Sequence, residues 1–262
     1  MIQGTFEEES AECREFVEKF KPKKTTDDCY TPEDVYKVVL NWAARRYGFD
    51  PGAAVRPFWP GGDYERFDYP DGCVVVDNPP FSILAKICRW YCARGVRFFL
   101  FGPSNTAISV LRNSNVALVY SESKIVYHNG AVVNTSFFTN IDHVRRVTVS
   151  PELHEIIDRA QNKKIARADS SKSISYPDEI LTFKSLSALL RHGVAFDVGY
   201  NESCWVDRCG NVQLFGGGVL MNKEKAKECA EKIASATALA KEERKIEITD
   251  REKQLQKMLG EK

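Results

Sequence analysis

The residues of this sequence best suited to chemistry stand at the end of a short apolar run. Residues 74–76 are three valines, and Asp77-Asn78-Pro79-Pro80-Phe81 follows them directly. Proline fixes φ and has no N–H to donate, so the neighbouring carbonyl oxygens point outward instead of entering a strand ladder. Asn78 adds one more acceptor oxygen and Phe81 adds an aromatic face. Rigid acceptors beside a ring could hold a planar group that carries an NH₂.

The patterns on either side of this corner predict an open α/β sheet that would position it. In such sheets ligands bind at the carboxyl ends of the strands, and residues 77–81 stand at one of those ends. The predicted order is helix 32–48, strand 53–58, strand 73–77, helix 82–95, strand 96–104, helix 106–113, strand 115–121 and a hairpin 124–141 that turns on Asn129-Gly130.

The tetrapeptide Asn78-Pro79-Pro80-Phe81 resembles the (N/D)PP(Y/F) motif of the amino-methylating DNA methyltransferases. These enzymes use S-adenosylmethionine to methylate the exocyclic amine of adenine or, less often, of cytosine. Cys29-Tyr30-Thr31-Pro32 resembles the "TP" element of that family, and Val55-Arg56-Pro57-Phe58 with Gly61-Gly62-Asp63 is similar to its first-strand motif. The stretch NGAVVNTSFF (129–138) resembles its late hairpin. The resemblance covers about residues 29 to 140 and is strongest to phage and mobile-element enzymes.

This resemblance implies a role for each matched residue. The catalytic corner would be Asn78, Pro79, Pro80 and Phe81: the Asn78 side chain and the Pro79 carbonyl would accept from the amine, and Phe81 would stack on a base flipped out of the duplex. Catalysis there is mostly positioning, because the sulfonium already activates the methyl group. The residues expected to bind S-adenosylmethionine are Tyr30, Thr31, Pro32, Pro57, Phe58, Gly61, Gly62, Asp63, Asp68 and Asp77.

The sequence departs from the family pattern between Gly62 and Val74, where only eleven residues stand. The family usually places two helices and two strands here, and one βαβ unit alone needs ~30 residues. We therefore predict a Rossmann-like class I methyltransferase sheet that is truncated at one edge. Within the short loop Tyr64, Phe67 and Tyr69 could stack on the cofactor and Asp63 or Asp68 could hold its ribose. Alternatively, these aromatic residues cap the exposed edge of the sheet. Arg56 stands where the family often has an acid.

Two classes of function follow from this pattern. The first is an adenine-specific DNA methyltransferase that acts on double-stranded DNA. The second is a catalytically silent relative that binds DNA or protein as a phage factor. Methylation of RNA or of a protein amide is a third, weaker option, since similar corners serve those reactions.

The chain is expected to divide into four parts. These are a polar N-terminal segment (1–28), an α/β core (29–150), a smaller accessory or target-recognition region (151–222) and a charged C-terminal helix (223–262). Residues 216–218 are three glycines and predict a bulge or tight turn. The C-terminal helix is expected to be solvated and could pair with a second copy to form a homodimer. Basic residues that could grip DNA phosphates are Arg145, Arg146, Lys163, Lys164, Arg167 and Lys172.

Composition adds few constraints on the partners. The 262 residues include 37 basic and 36 acidic side chains, so no overall positive charge indicates nucleic acid. No apolar run approaches the ~20 residues that span a bilayer, and the acidic N-terminus lacks a signal-peptide core. We therefore expect a cytoplasmic protein without membrane contact, in the host cytoplasm if a phage encodes it. The eight cysteines form no CxxC pair, which favours reduced thiols over a metal site.

Overall fold

The computed structural model describes residues 30–58, 62–112, 115–161, 176–210 and 212–238. The N-terminal segment 1–28, Gly61, the C-terminal residues 239–262 and the basic residues Lys163, Lys164, Arg167 and Lys172 lie outside the described residues. The helices are α1 (Glu33–Tyr47), α2 (Leu84–Arg94), α3 (Ala107–Val110), α4 (Pro151–Ala160), α5 (Phe183–Arg191) and α6 (223–238).

Seven strands form one mixed sheet in the order β1-β2-β3-β5-β4-β6-β8. They are β1 (Ala54–Val55), β2 (Val74–Asp77), β3 (Arg97–Pro103), β4 (Ala117–Val126), β5 (Val132–Thr139), β6 (Arg145–Val149) and β8 (Phe196–Gly199). Neighbours pair in parallel from β1 to β3 and between β4 and β6, whereas β5 runs antiparallel to β3 and β4, and β8 to β6. The predicted α/β class is confirmed, and the arrangement is compatible with a Rossmann-like sheet.

Both faces of the main sheet are covered, which explains the unbroken apolar run before the corner. Val75 faces a core shared with α2, α3 and α5, while Val74 and Val76 face a core shared with α1 and α4. All three valines are fully buried. The strand can therefore be apolar at every position and still end on a polar corner.

Helix α1 has the ends that its sequence predicts. Glu33 and Asp34 lie in the first turn and Arg45 and Arg46 in the last, so the charges complement the helix dipole. Gly48 ends the helix with φ of 67°, a conformation that glycine adopts without a Cβ penalty. This helix packs its buried face, which includes Trp42, against β3.

The region after residue 150 does not form a separate core. Strand β8 pairs with β6 in the main sheet. A second sheet of β7 (Ile180–Leu181), β10 (Val212–Met221) and β9 (Ser203–Cys209) packs Leu181, Val219 and Met221 into the same apolar core as α2 and α5. The boundary predicted at residue 150 is thus not a break in packing. The glycine run does form the predicted irregularity, because the β9/β10 register shifts between Gln213 and Gly218.

Strand β3 passes close to its neighbours at Gly102, beside the corner. An added Cβ there would lie 2.5 Å from Cε2 of Phe138 and 2.6 Å from Cδ2 of Leu84. Both side chains are buried, so Gly102→Ala should lower the free energy of unfolding by about 1–3 kcal/mol through overpacking. Urea denaturation measures this. Gly52→Ala is the control, since its nearest neighbour would be at 3.4 Å; equal losses in both variants would refute the steric argument.

Among the described residues, no helix combines the length and apolar character needed to cross a membrane.

Candidate active site at the carboxyl ends of β1 and β2

The corner after β2 is a short extended segment followed by a single helical turn. Asn78 and the two prolines lead from the strand, residues Phe81–Ile83 form a 3-10 turn, and α2 begins at Leu84. Pro79 is buried, while Asn78, Pro80 and Phe81 are half-buried. The predicted position of the corner at a strand's carboxyl end is therefore observed, and three of its four residues keep part of their surface open.

Asp77 fixes the two loops of the site to each other. Its carboxylate accepts hydrogen bonds from the backbone N–H of Phe58 at 2.8 Å and of Asn78 at 2.9 Å. The guanidinium of Arg56 contacts it at 3.4 Å. Burial raises the pKa of the Asp77 carboxyl, although these donors act in the opposite direction. Asp77 therefore holds the loop after β1 to the end of β2.

Arg56 adds the first turn of α1 to this junction. Its guanidinium lies 3.9 Å from the ring centroid of Tyr36 and 3.7 Å from a carboxylate oxygen of Glu33. Burial raises the pKa of Tyr36 to about 12, with Arg56 lowering it. Arg56 thus connects α1, β1 and β2 at one point. It stands where the motif that this segment resembles often has an acid.

The hairpin between β4 and β5 reaches the corner through Tyr127. Its hydroxyl donates a long hydrogen bond to Oδ1 of Asn78 at 3.5 Å and lies 3.1 Å from Oγ1 of Thr135. The ring of Phe81 meets that of Tyr127 edge-on, with centroids 6.3 Å apart. The predicted turn is also present, because Gly130 has φ of 83° and its N–H bonds to the Tyr127 carbonyl. Sequence reasoning placed the hairpin near the base but missed Tyr127.

The predicted cofactor element at Tyr30-Thr31-Pro32 lies against the same hairpin. The Tyr30 carbonyl accepts from the backbone N–H of His128 at 3.1 Å, and the Tyr30 side chain is exposed. Thr31 is buried, and its Oγ1 has no hydrogen-bond partner among the described residues. A buried polar atom without a partner costs free energy, so this hydroxyl fits a group that accepts or donates there. Pro32 precedes α1 and its carbonyl accepts from Tyr36 N–H.

The two tyrosines of the short loop 62–73 pack against neighbouring aromatic side chains. Tyr64 is buried, its ring lies 5.3 Å from that of Trp90 and 5.4 Å from that of Phe58, and Tyr69 packs on Tyr91 at 5.8 Å. The Tyr69 hydroxyl donates to the Tyr64 carbonyl at 2.7 Å and lies 3.0 Å from the Tyr91 hydroxyl. For these two residues the structure favours the capping interpretation over cofactor stacking.

The other residues expected to bind the cofactor in this loop, and the two that follow Arg56, differ in their exposure to solvent. Gly62, Asp63 and Asp68 are exposed, and Phe58 is half-buried, whereas Pro57 is buried. Asp63 accepts from the backbone N–H of Glu65 and pairs with Arg66 at 3.6 Å. Both carboxylates are therefore accessible from solvent, and that of Asp63 is already paired with Arg66.

The burial of Tyr69 predicts that the stability of the protein depends on pH in the alkaline range. Desolvation raises its pKa from 10.0 to about 12. Because the folded pKa is the higher one, the stability that this hydroxyl contributes is present below about pH 10 and is lost as the pH rises to about 12. Tyr69→Phe should cost about 1–2 kcal/mol at pH 8 from its lost hydrogen bonds, and the difference from wild type should shrink across that alkaline range. Urea denaturation at several pH values checks this; a constant difference would contradict it.

A buried hydroxyl cluster lies next to the corner, where β3, β4 and β5 meet. Ser104 and Ser136 are 2.7 Å apart, and the Ser136 hydroxyl also accepts from the backbone N–H of Glu122 at 3.3 Å. Glu122 has φ of 45°, which is strained for a residue with a Cβ, and its carboxylate accepts from the Ser187 hydroxyl at 2.7 Å. The β4/β5 register shifts here, so local strain borders the corner. Sequence reasoning gave no signal for this cluster.

The basic residues proposed to grip DNA are placed differently from the expectation. Arg146 is buried, and Arg145 contacts Asp142 and Asp197 at 3.3 Å each. Arg145 is thus paired with two acids, and Arg146 is buried against the ring of Tyr200, so neither is presented as a free cation on the outer surface.

The part of the chain that the structure describes contains no group of three or more metal-binding side chains. Its cysteines are free thiols, and Cys73, Cys88 and Cys229 are buried.

No known family model matches this chain, and comparisons with curated proteins and with solved structures found no significant match. The function is therefore inferred from the geometry of the site.

Proposed function

We propose that this protein transfers a methyl group from S-adenosylmethionine to the exocyclic amine of adenine in DNA, with the target base flipped into the corner 78–81. One observation carries the proposal: the segments that resemble methyltransferase motifs are distant in sequence, yet they converge at the carboxyl ends of β1 and β2. Contacts join residues 30 to 128, 33 to 56, 58 to 77 and 78 to 127. Their convergence at one edge of the sheet supports the proposal, because a methyltransferase site needs all of these segments in one place.

The corner's own groups suit an amine. The Oδ1 atom of Asn78 and the carbonyl of Pro79 are acceptors, and accepting from both N–H groups of an NH₂ directs its lone pair away from them. Phe81 supplies a half-buried ring at the position for base stacking. Tyr127 contacts both Asn78 and Phe81, so it holds the amide and the ring in one arrangement. The amine nitrogen would form the new N–C bond as the S–CH₃ bond of the donor breaks, and the positively charged methylated nitrogen would release a proton to solvent, so no general base of high pKa is required.

The groups around the corner fit the cofactor in part. Thr31 offers an unpaired hydroxyl at the element expected to touch the methionine end, and exposed Gly62 offers backbone in the loop between β1 and β2. Bound S-adenosylmethionine would supply the activated methyl group. Strand β1 pairs only with β2 among the described strands, which agrees with the sheet truncation expected from the short loop. Asp63 and Asp68 would then be the ribose ligands.

Transfer of labelled methyl groups tests the proposal directly. Purified protein is incubated with S-adenosylmethionine labelled in the methyl group and with double-stranded DNA, and the DNA is digested to nucleosides. We expect label in N6-methyl-2′-deoxyadenosine from the DNA. Label in RNA or in a protein amide, in a competition between substrates, would instead assign the third class of reaction. Absence of label from every substrate would refute catalysis.

A specific observation supports a second candidate, the silent relative that binds DNA or protein. Tyr64 and Tyr69, two of the three aromatic residues expected to hold an adenosine, are occupied by packing against Trp90 and Tyr91. A chain that had lost cofactor binding would keep the corner and cap the shortened edge in this way. Binding of DNA without binding of S-adenosylmethionine would select this candidate.

A further inference from the structure

We propose that the cavity at the amino edge of the main sheet is a second binding site, which takes a small phosphorylated ligand of about nucleotide size. The cavity measures about 680 Å³ and its wall includes Arg97, Asn115, Asn140, Asp142, His143 and Tyr200. Arg97 begins β3 and Asn140 follows β5, so the cavity lies at the edge opposite the corner at Asn78. It is therefore independent of the proposed methyl transfer.

The charges at this edge are not balanced. Asp142 contacts Arg145, and Asp197 contacts both Arg145 and Arg46, so two acids and two arginines cancel. Arg97 donates to the backbone carbonyl of Gly72 and has no acidic partner within the described residues. The wall of the cavity thus retains at least one uncompensated guanidinium.

Arg146 is the second uncompensated cation, and it is buried. Arg146 is 8% exposed. Its guanidinium carbon lies 4.6 Å from the ring centroid of Tyr200 in the cavity wall. Its Nε has no hydrogen-bond partner among the described residues, and neither has the Tyr200 hydroxyl. Burying an unpaired charge costs several kcal/mol unless an opposite charge compensates it. Arg146 is not itself among the residues of the wall, but an anion beside Arg97 and Tyr200 would place negative charge near it as well.

Phosphate fits this edge better than other anions because of charge and geometry. A guanidinium presents a planar fork of donors that matches phosphate oxygens, and a phosphate monoester carries up to two negative charges. The volume lies within the range of cavities that hold small ligands, about 300–1,000 Å³. Asn140 is already fixed by hydrogen bonds with Phe98 N–H and the Val96 carbonyl, so this part of the wall is rigid.

Titration calorimetry and thermal unfolding in low salt test the site with inorganic phosphate and adenosine monophosphate as probes. We expect saturable binding of the mononucleotide, a rise in melting temperature with either probe, and weaker binding of phosphate alone. Arg146→Met keeps the volume but removes the charge, and should weaken binding roughly ten- to hundredfold. Arg159→Met, on the exposed face of α4 beside Glu155, is the control and should bind as wild type.

Arg97→Met gives a second test that does not depend on a buried substitution, and it should weaken binding about tenfold. Unchanged binding in both Arg146→Met and Arg97→Met would overturn the proposal, as would the absence of any response of the wild type to either probe. If only a duplex oligonucleotide binds in an Arg146-dependent way, a small-ligand site is also excluded.

Discussion

Asn78→Ala is expected to reduce methyl transfer by about 100-fold or more, because under the proposed function it removes one of the two acceptors for the reacting amine. The half-buried amide of Asn78 contacts Tyr127 through a long hydrogen bond. Loss of this hydrogen bond should leave the free energy of unfolding within about 1 kcal/mol of wild type. The rate of label transfer to DNA under single-turnover conditions measures the chemical step, and urea denaturation measures the stability.

The matched control is Asn201→Ala, an exposed asparagine in the turn after β8, at the opposite edge of the sheet. It should transfer methyl groups as wild type. Equal activity in Asn78→Ala and Asn201→Ala would remove Asn78 from the catalytic site. If the loss of activity in Asn78→Ala is instead explained by a loss of stability of the same variant, Asn78 has only a structural role.

Asp77→Ala should lower the free energy of unfolding by about 3 kcal/mol, the largest stability effect that we predict for the site. The substitution leaves the buried N–H groups of Phe58 and Asn78 without their acceptor and removes a carboxylate beside Arg56. The ends of β1 and β2 would then separate, so cofactor binding and methyl transfer should fall with stability.

Urea denaturation of the variant checks this effect, with Asp71→Ala as the control because Asp71 is exposed in the turn before β2. The control should differ from wild type by less than about 0.5 kcal/mol. A loss in Asp77→Ala no larger than in the control would show that the junction does not depend on this carboxylate.

The corner itself was predictable from sequence because its signals are local. Apolar residues at every position of 74–76, bounded by Asp77 and two prolines, indicate a strand buried on both faces that ends in a rigid turn, and the structure has this strand and turn. Helix α1 was equally predictable from its periodicity and from Gly48. These features depend on residues that are neighbours in the chain.

Features that depend on distant contacts were not predictable in this way. Strand β1 has only two paired residues where a strand over 53–58 was expected, and the chain after Val55 is held instead by the contacts of Arg56 and Phe58 with Asp77. Strand β8 joins the main sheet although it follows the boundary predicted at residue 150. In the sequence, Tyr127 is not distinguished from the other residues that alternate along the hairpin. Its contact with Asn78 arises only when the chain folds. Tyr64 and Tyr69 likewise show their packing role only beside α2.

Titration calorimetry of the purified protein with S-adenosylmethionine and with its demethylated product tests the central claim most directly. The account predicts saturable binding of both compounds with dissociation constants of about micromolar order. Thr31→Val should weaken both without loss of stability, because the Thr31 hydroxyl has no partner among the described residues to lose. No binding of either compound by folded wild-type protein would contradict the account and leave the silent DNA- or protein-binding relative in its place.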